Sequence, residues 1–398
     1  MGVLDHELAI VALGIGLLSL SMGIWAQVNA HLKLGRKPAR TLFCPPISIL
    51  KPLSGLDDAL YENLASVARQ RYPQFELLFG VREWSDDAVR VVRKLQRDFP
   101  DVPMRLVAQP STLALNPKVN TLLRLLPLAR FNHILISDSN VAVDADYLTM
   151  LSAEMADPTV AMVSSLIAGE GEETIGAALE NLHLCSFVSA MACTADRVGN
   201  PLVIGKSMLM RRAALEEVGG LWSVRDVLAE DYVLGQRFFA SGHRVVLSPH
   251  IIDTVNRTWT VRRFLSRHLR WAQLRRWGSF AHFVAEPLAY PIPLLLLSAS
   301  IACSAQLSWN ATRVALAGVL LKMAGDAALA FRMRRKAPPV LALVLTPLKD
   351  CVLLAVWAVA ALRRTVDWRG HRLRIGPGTL VQRISSHPEL AGSSPEAV

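Results

Sequence analysis

Residues 133–140 have the sequence HILISDSN, a short apolar run that ends in an acid and two small polar residues. The apolar part, His133 to Ile136, predicts a buried β-strand, because short continuous apolar runs are typical of strands covered on both faces. Asp138 would then lie just beyond the carboxyl end of this strand, where open parallel sheets bind their ligands. Asp, Ser and Asn also form ordinary turns, so this segment alone leaves both interpretations open.

The same alternation of apolar runs and helical patterns extends over residues 46 to 165. It predicts an α/β fold with a mostly parallel sheet and helices on both faces. Asp138 and the segment 83–87 would both lie at the carboxyl ends of strands. The predicted strands are 47–50, 75–81, 104–107, 133–136 and 160–164. The predicted helices are 58–70, 85–98 with Ser85 as cap, and one that starts at Asn116-Pro117 with Asn116 as cap.

Residues 170–255 are less regular. A strand is predicted within 203–211 and a turn at Gly219-Gly220, because paired glycines favour turns. A helix is predicted over 229–241, and Gly242 would end it. We assign this region to the same domain as the alternating segment.

Composition favours a membrane protein. The chain has 398 residues, a net charge of +10, 52% hydrophobic residues and a mean hydropathy of +0.31. A nucleic-acid-binding protein is disfavoured, because no basic run belongs to a nucleic-acid-binding motif. The five cysteines show neither a C-x-x-C motif nor a zinc spacing, which indicates buried thiols in a reducing compartment.

A charge-free run from Leu8 to Ala30 is long enough to span a bilayer. Acids precede this run and basic residues follow it, which differs from a cleavable signal peptide. The positive-inside rule then places the N-terminus outside and the following chain in the cytosol. The flanking residues are Asp5 and Glu7 on one side, and Lys33, Arg36, Lys37 and Arg40 on the other.

Three more apolar runs, 287–312, 314–331 and 337–362, lie near the C-terminus. The number of crossings stays open, because the last two runs contain the charged pairs Lys322 with Asp326 and Lys349 with Asp350. The basic clusters after residue 331 and after residue 362 favour a hairpin over 287–331. A second hairpin or a re-entrant pair would then follow over 337–362.

Residues 257–277 contain seven arginines, three tryptophans and no acid. Such a segment is typical of a helix that lies at a membrane interface, although a solvated basic helix face is the alternative. We therefore divide the chain into a transmembrane anchor with a basic linker (1–44), a cytosolic catalytic domain (45–256), interfacial helices (257–285), transmembrane or re-entrant helices (286–364) and a cytosolic tail (365–398). The tail from Ser385 onward is polar, which predicts disorder.

Several acids and bases are candidate site residues. Asp138 and Asn140 offer oxygen ligands for Mg²⁺ or Mn²⁺, which proteins often hold by one or two carboxylates together with substrate phosphates. Asp231 is a candidate general base, because the neighbouring charge of Glu230 can raise its pKa. The same two acids would also suit the first turn of a helix without any catalytic role.

Two basic motifs are candidates for binding phosphate. Lys118 follows the predicted cap in NPKVN (116–120), where first-turn amides and the ammonium can bind an anion, although the motif also fits a plain helix start. Arg267 and Arg270 can clamp a diphosphate, because guanidinium matches phosphate geometry. Trp271 suits a site that is apolar on one side and wet on the other.

Six short motifs occur in one order: ILKPL (49–53), YP (72–73), NPKVN (116–120), DS (138–139), EDY (230–232) and RxxRW (267–271). In this order they resemble the ceramide glucosyltransferases and their bacterial relatives, over roughly residues 45–280. The resemblance implies a GT-A, Rossmann-like catalytic domain on the cytosolic membrane face. It also implies an inverting transfer from a UDP-sugar to a lipid hydroxyl.

The resemblance also implies roles for individual residues. Asp138 would act at the metal and the diphosphate, Asp231 would be the base, and the RxxRW residues would bind donor and acceptor. Further donor or acceptor contacts would come from Lys51, Glu83, Asp86, Lys118, Ser139 and Glu230. This chain departs from the family at two places. Glu83 stands where the family often has Asp, and Lys206 stands where the animal enzymes have no lysine.

We therefore expect an integral membrane enzyme, most simply of a bacterial inner membrane, with UDP-glucose and ceramide as first expectation. Diacylglycerol or a hopanoid is an alternative acceptor, and UDP-N-acetylglucosamine an alternative donor. A processive polysaccharide synthase is a rival, although such synthases carry Gln where this chain has Arg267. A non-catalytic lipid carrier or scaffold is a rival of another class, and retention of Asp138 and Asp231 argues against it.

Overall fold

The computed structural model describes residues 2–37, 41–108, 110, 112–200, 202–304, 309–368 and 371–383. The basic residue Arg40 and the tail from Ser385 onward lie outside the described residues. An eight-stranded sheet forms the centre of the α/β domain. Its strands are β1 (Ile47–Pro52), β2 (Phe75–Val81), β3 (Met104–Ala108), β4 (His133–Ser137), β5 (Val141–Ala142), β6 (Val160–Glu170), β7 (Ser207–Arg211) and β8 (Arg244–Val255).

The strand order is β3-β2-β1-β4-β7-β6-β8-β5, with β1 at the centre of a parallel half. Every residue of β1 is buried, as expected for a strand that pairs on both sides and is covered on both faces. Strand β7 runs antiparallel between β4 and β6, so that Ser137 pairs with Ser207. This pairing places the end of β4 beside the loop that leads into β7, where Asp138 N donates to Lys206 O at 3.3 Å.

In the part of the chain that the structure describes, fifteen α-helices surround this sheet or lie beyond it. In the first part of the chain they are α1 (Gly2–Leu34), α2 (Leu60–Ala68), α3 (Ala88–Asp98), α4 (Pro117–Leu125), α5 (Tyr147–Glu154), α6 (Ile175–His183), α7 (Ser189–Arg197), α8 (Arg212–Glu217) and α9 (Glu230–Ala240). They continue with α10 (Val261–Gly278), α11 (Phe280–Ala285), α12 (Pro291–Ser304), α13 (Trp309–Arg334), α14 (Val340–Val344) and α15 (Thr346–Leu362). One turn of π-helix, Leu184–Val188, joins α6 to α7.

The predicted α/β fold is confirmed, with four parallel and three antiparallel pairings in the sheet. Asn116 caps α4 as predicted, because its side chain accepts from the backbone N–H groups of Lys118 and Val119. The cap predicted at Ser85 is wrong. Helix α3 begins at Ala88, and it is Asp86 whose carboxylate accepts from Ala88 N at 2.9 Å. The predicted strand within 203–211 begins only at Ser207, because the preceding residues form a loop of the candidate site.

Three described helices are long and apolar enough to cross a membrane: Glu7–Leu34, Ile175–Arg197 and Asn310–Arg334. The second is mostly enclosed by the protein, since 72% of its apolar window is buried. Phe280–Ala289 and Pro291–Cys303 form a pair bent by 56°, which adds one more broken span or re-entrant segment. Helices α1, α12 and α13 pack through a shared apolar cluster that includes Leu20, Leu295 and Val319.

The charged pairs within the C-terminal runs face each other. Lys322 Nζ lies 2.5 Å from Asp326 Oδ1, and Gln27 on α1 donates to the same oxygen at 2.8 Å. Lys349 and Asp350 form a buried pair at 2.6 Å. The cost of these charges is therefore reduced by pairing, as intramembrane charges require.

Residues 365–383 form a three-stranded antiparallel sheet where the sequence had indicated only a tail. Its strands are β9 (Thr365–Trp368), β10 (His371–Ile375) and β11 (Val381–Arg383). Its apolar side packs on Leu228 and on Leu274 and Trp277 of α10. Thr379 accepts two backbone N–H groups there, Leu228 N at its carbonyl (3.0 Å) and Ala229 N at its hydroxyl (3.3 Å).

Candidate active site

Lys118 joins three separate parts of the chain at the carboxyl edge of the sheet. Its ammonium lies 3.0 Å from Asp138 Oδ1, 3.0 Å from Glu230 Oε1 and 2.9 Å from the carbonyl of Gly205. The first turn of α4 holds Lys118 in place through the Asn116 cap. Burial opposes its charge, but Asp138, Glu230 and Asp231 outweigh that effect and raise its pKa. The two acids predicted to converge therefore lie around one permanently charged lysine.

Asp138 and Asn140 are held by a second lysine. Lys206 Nζ donates to Asn140 Oδ1 at 2.5 Å and lies 3.5 Å from Asp138 Oδ2. Burial lowers the pKa of Lys206 to about 8. The loop 204–206 thus brings a cation to the two side chains that the sequence had suggested as metal ligands.

The oxygens of Asp138 and Asn140 suit a hard divalent cation chemically. Among the described residues, however, no group of three or more His, Cys, Asp or Glu side chains could hold a metal ion. The site therefore fits a cation that arrives with a diphosphate, whose oxygens complete its ligands. Lys206 would have to leave Asn140 for such a cation to bind, because the same oxygen cannot serve both.

Lys51 and Ser139 lie beneath the site rather than in it. Lys51 is fully buried and donates to Ser137 Oγ and to the carbonyl of Asp138, both at 2.9 Å. Burial lowers its pKa to about 7. The prediction that Lys51 contacts the sugar donor or acceptor is therefore corrected, because a fully buried side chain cannot reach a substrate. Lys51 instead supports the end of β4. Ser139 is also buried and bonds to the carboxylate of Asp57.

Asp231 stands in the first turn of α9 with both carboxylate oxygens in use. Oδ2 accepts from Gly205 N at 2.8 Å, and Oδ1 accepts from Tyr232 N at 2.8 Å. Burial and the neighbouring charge of Glu230 raise its pKa to about 6. Each oxygen keeps a free lone pair, so the carboxylate can still take a proton near neutral pH.

Glu230 has a supporting position. Its side chain is 5% exposed, with one oxygen bound to Lys118 and the other accepting from Asn116 Nδ2 at 3.1 Å. Asn116 also donates to the carbonyl of Val227 at 2.7 Å. The start of α4 and the start of α9 are therefore fixed to each other, and Glu230 contributes charge to Asp231 rather than a free ligand.

The RxxRW motif lies on α10 and is fixed to α6. Glu180 on α6 is fully buried, and its carboxylate contacts Arg267 at 2.9 Å and His268 Nε2 at 2.8 Å. The Arg267 guanidinium lies over Trp271 and Trp259, at 4.3 and 5.1 Å from the ring centroids. The positive charge of Arg267 also lowers the pKa of Lys206. The two side chains are therefore close enough for their charges to interact.

The remaining predicted residues lie in different surroundings. Arg270 is half-buried on the same helix. Glu83 is exposed on the loop after β2 and contacts Arg82 and Ser85. The carboxylate of Asp86 accepts from Gly55 N at 3.0 and 3.1 Å as well as from Ala88 N. Asp86 therefore connects the loop after β1 to α3, whatever else it binds.

Sequence analysis missed three residues of this region, Gly205, Asp57 and Glu180. Gly205 contacts Asp231 so closely that a Cβ atom would meet Oδ2 at 2.5 Å, and only its place in the IGKS loop (204–207) marks it. Asp57 holds Ser139 and follows the ILKPL motif by four residues. Glu180 is the one acid of α6, and a carboxylate within a mostly apolar helix is the sequence pattern that marks a buried ion pair.

Comparisons with known proteins agree with this geometry. The family model described as glycosyl transferase family 21 matches residues 7–381. Ceramide glucosyltransferase 3 of Caenorhabditis elegans is 30% identical over 253 residues, which are 63% of this chain and 55% of that protein. Ceramide glucosyltransferase of Gibberella zeae is 20% identical over 357 residues, with 68% of this chain and 67% of that protein covered. The chain thus spans about half the length of the nematode relative.

The fold has a solved counterpart. The mannosyltransferase PcManGT from Pyrobaculum calidifontis, in complex with GDP-Man and Mn²⁺, superposes with a TM-score of 0.54 at 18% identity. The match covers 89% of this chain and 98% of that one, and it shows a shared architecture. The chain therefore belongs to glycosyl transferase family 21 and has a GT-A fold.

Proposed function

We propose that this protein transfers a single sugar, with inversion, from a UDP-sugar to the hydroxyl of a membrane lipid. UDP-glucose and a ceramide-like acceptor are the first choice, because the relatives of highest similarity given above are ceramide glucosyltransferases. The proposal is supported above all by the position of Asp138, Glu230 and Asp231 around Lys118. This arrangement supplies charge for a diphosphate on one side and a base of raised pKa on the other.

Asp231 acts as the general base in this proposal. Its free lone pair takes the proton of the acceptor hydroxyl while the acceptor oxygen attacks the anomeric carbon. The bond from that carbon to the β-phosphate oxygen breaks, and UDP leaves with the electron pair. Because attack and departure occur on opposite faces of the carbon, one such displacement inverts its configuration.

Positive charges of the chain stabilise the departing diphosphate. Lys206 and Arg267 are available for this role, since Lys206 exchanges its contact with Asn140 for a phosphate oxygen when the donor binds. Asp138 and Asn140 would hold Mg²⁺ or Mn²⁺ together with the donor phosphates, and the ion would supply further neutralisation of the developing charge. Trp271, which is half-buried under the Arg267 guanidinium, offers apolar surface to an acceptor.

We place the catalytic domain on the cytosolic side of a bacterial inner membrane. The basic C-terminal ends of two apolar helices meet this domain: Lys33 of α1 pairs with Asp196 at 2.9 Å, and Arg334 of α13 pairs with Glu172 at 2.5 Å. Since basic residues mark the cytosolic ends of spans, both contacts support this orientation. The exposed apolar residues along α1 would then face lipid.

The test is an Asp231→Asn variant, with Asp101→Asn as a matched control on the exposed loop before β3. Purified protein is supplied with UDP-glucose or UDP-N-acetylglucosamine and with ceramide, diacylglycerol or hopanoid, and lipid products are identified by mass spectrometry. We expect the wild type and the control to make a single-sugar lipid. The Asp231→Asn variant should lose roughly 10²- to 10⁴-fold in rate while it still binds UDP. Full turnover in that variant would exclude Asp231 as base, and a polymeric product would indicate a synthase.

A further inference from the structure

A cavity of about 440 Å³ lies where the C-terminal sheet meets α10. The side chains of Trp277, Arg364 and Arg374 line it, together with the turn around Gly376 and Pro377. It is separate from the Lys118 site, since none of the residues that line it belongs to that site. Its volume can hold a phosphodiester headgroup and part of a glycerol backbone.

The cavity is strongly basic. Five exposed arginines belong to the segment 363–383 that builds this region: Arg363, Arg364, Arg372, Arg374 and Arg383. Within the described part of the chain, none of them forms an ion pair with a carboxylate. This differs from α10, where Arg267 and Arg275 are paired with Glu180 and Glu286. The unpaired guanidinium groups leave a concentrated positive field that an anion can neutralise.

Trp277 adds an unused donor. Its indole Nε1 is buried and has no hydrogen-bond partner among the described residues. The guanidinium of Arg364 lies 5.8 Å from the centroid of its ring. A buried donor without a partner is uncommon in a native protein, and an anion accepting from it would remove that cost.

Two exposed leucines flank the arginines of this region along the chain. Leu362, at the end of this apolar helix, is 85% exposed, and Leu380, which lines the cavity, is 52% exposed. Arg363 and Arg364 follow directly. An apolar helix end followed by clustered arginines is the pattern of a segment at the boundary between bilayer and cytosol.

We propose that this cavity binds the headgroup of an anionic phospholipid, with Arg364 and Arg374 on the phosphate, Trp277 Nε1 as a further donor, and the acyl chains beside Leu362 and α15. The ligand is a lipid of the surrounding membrane and is distinct from the sugar acceptor. A free phosphate would satisfy the arginines but would leave the exposed leucines without a partner.

The test measures binding of short-chain phosphatidylglycerol, phosphatidylcholine and inorganic phosphate to the full-length protein in a non-ionic detergent, by microscale thermophoresis. The variant is Arg364→Gln with Arg374→Gln. The matched control is Arg90→Gln with Arg97→Gln, which removes the same charge from exposed positions of α3. We expect phosphatidylglycerol to bind the double variant about 30-fold more weakly than the control, because each basic residue beside an anionic lipid contributes roughly a fivefold factor.

Three results would overturn the proposal. Equal affinity of the double variant and its control for phosphatidylglycerol would remove the cavity as the site. Equal affinity for phosphatidylcholine would show that the charge is not recognised. Inorganic phosphate that binds as tightly as phosphatidylglycerol would identify a free-phosphate site instead. If the double variant does not fold, Trp277→Phe provides a second measurement, because it keeps an aromatic side chain and removes the indole N–H donor. Unchanged binding of phosphatidylglycerol there would also contradict the proposal.

Discussion

At the scale of one residue, the ammonium of Lys118 balances the negative charges of the acids in the site. Its ammonium contacts Asp138 and Glu230 at equal distances of 3.0 Å and also acts on Asp231. The two acids at the start of α9 are therefore not equivalent. Glu230 is paired with Lys118 by direct contact, whereas burial and the Glu230 charge leave Asp231 with a raised pKa. One acid supports the structure and the other is free to accept a proton.

The pH dependence of transfer should follow from Asp231. Its pKa is raised to about 6, and only the deprotonated form can act as base, so kcat/KM should rise as pH increases through about 6. In a Glu230→Gln variant the neighbouring negative charge is gone, so the pKa of Asp231 falls and the acid limb moves to lower pH. The pKa that defines this limb should remain above that of an ordinary Asp, because burial raises the pKa of Asp231 more than the Glu230 charge does. Steady-state rates across the pH range measure this.

The control for that profile is Glu216→Gln, an exposed position on α8 with the same loss of charge. Its acid limb should coincide with that of the wild type. A limb that moves to higher pH in Glu230→Gln, or does not move at all, would contradict the assignment of the limb to Asp231.

Lys206 should compete with a divalent cation, because its ammonium occupies the oxygens of Asn140 and Asp138. We expect Lys206→Gln to bind Mn²⁺ about tenfold more tightly than the wild type, a difference of roughly 1.4 kcal/mol. Electron paramagnetic resonance of the free ion measures this without turnover. Lys94→Gln on the exposed face of α3 serves as control. Weaker Mn²⁺ binding in Lys206→Gln would mean that the lysine helps to build the cation site instead of occupying it.

At the scale of elements, one buried contact fixes the RxxRW helix to the catalytic domain. Glu180 on α6 faces both Arg267 and His268 on α10, and it is fully enclosed. A π-helical turn, Leu184–Val188, begins only four residues after Glu180. Such turns inside α-helices often mark functional regions. The position of Arg267 near Lys206 therefore depends on packing between two elements rather than on α10 alone.

Removal of that carboxylate should loosen the contact. Glu180→Gln leaves the buried guanidinium of Arg267 without a counter-charge, and breaking such a pair costs roughly 3 kcal/mol. We expect a lower midpoint of thermal unfolding together with a lower transfer rate. Glu173→Gln, on the exposed loop before the same helix, should behave as wild type. A Glu180→Gln variant that unfolds at the wild-type temperature would show that this pair does not stabilise the interface.

The sequence predicted those elements of the fold whose signal is local. Strand β2 occupies 75–81 as predicted, and Asn116 caps α4 because cap chemistry depends on adjacent residues only. The partnership of Lys206 with Asn140 was not predictable, since it depends on the antiparallel pairing of β7 with β4. The C-terminal sheet was missed for a similar reason. Its strands are very short, and Thr379 bonds to Ala229 across 150 residues of chain.

At the scale of the whole molecule, apolar helices from both ends of the described chain contact the domain that carries the Lys118 site. Helices α1 and α13 reach the domain through Lys33 and Arg334, and α15 reaches it through α10. The sheet itself contributes to this site only the residues at the ends of its strands. Correct placement of donor and acceptor therefore depends on contacts spread from the first helix of the chain to the last.

Thr379 bears on the order in which parts of this arrangement can form during synthesis. Its hydroxyl and carbonyl hold the backbone of residues 228 and 229, directly before Glu230 and Asp231. During synthesis, this residue leaves the ribosome only after the apolar helices α1, α12, α13 and α15 have emerged. With Asp231 as the proposed base, a nascent chain would complete the surroundings of that base only after those helices are available to a bilayer.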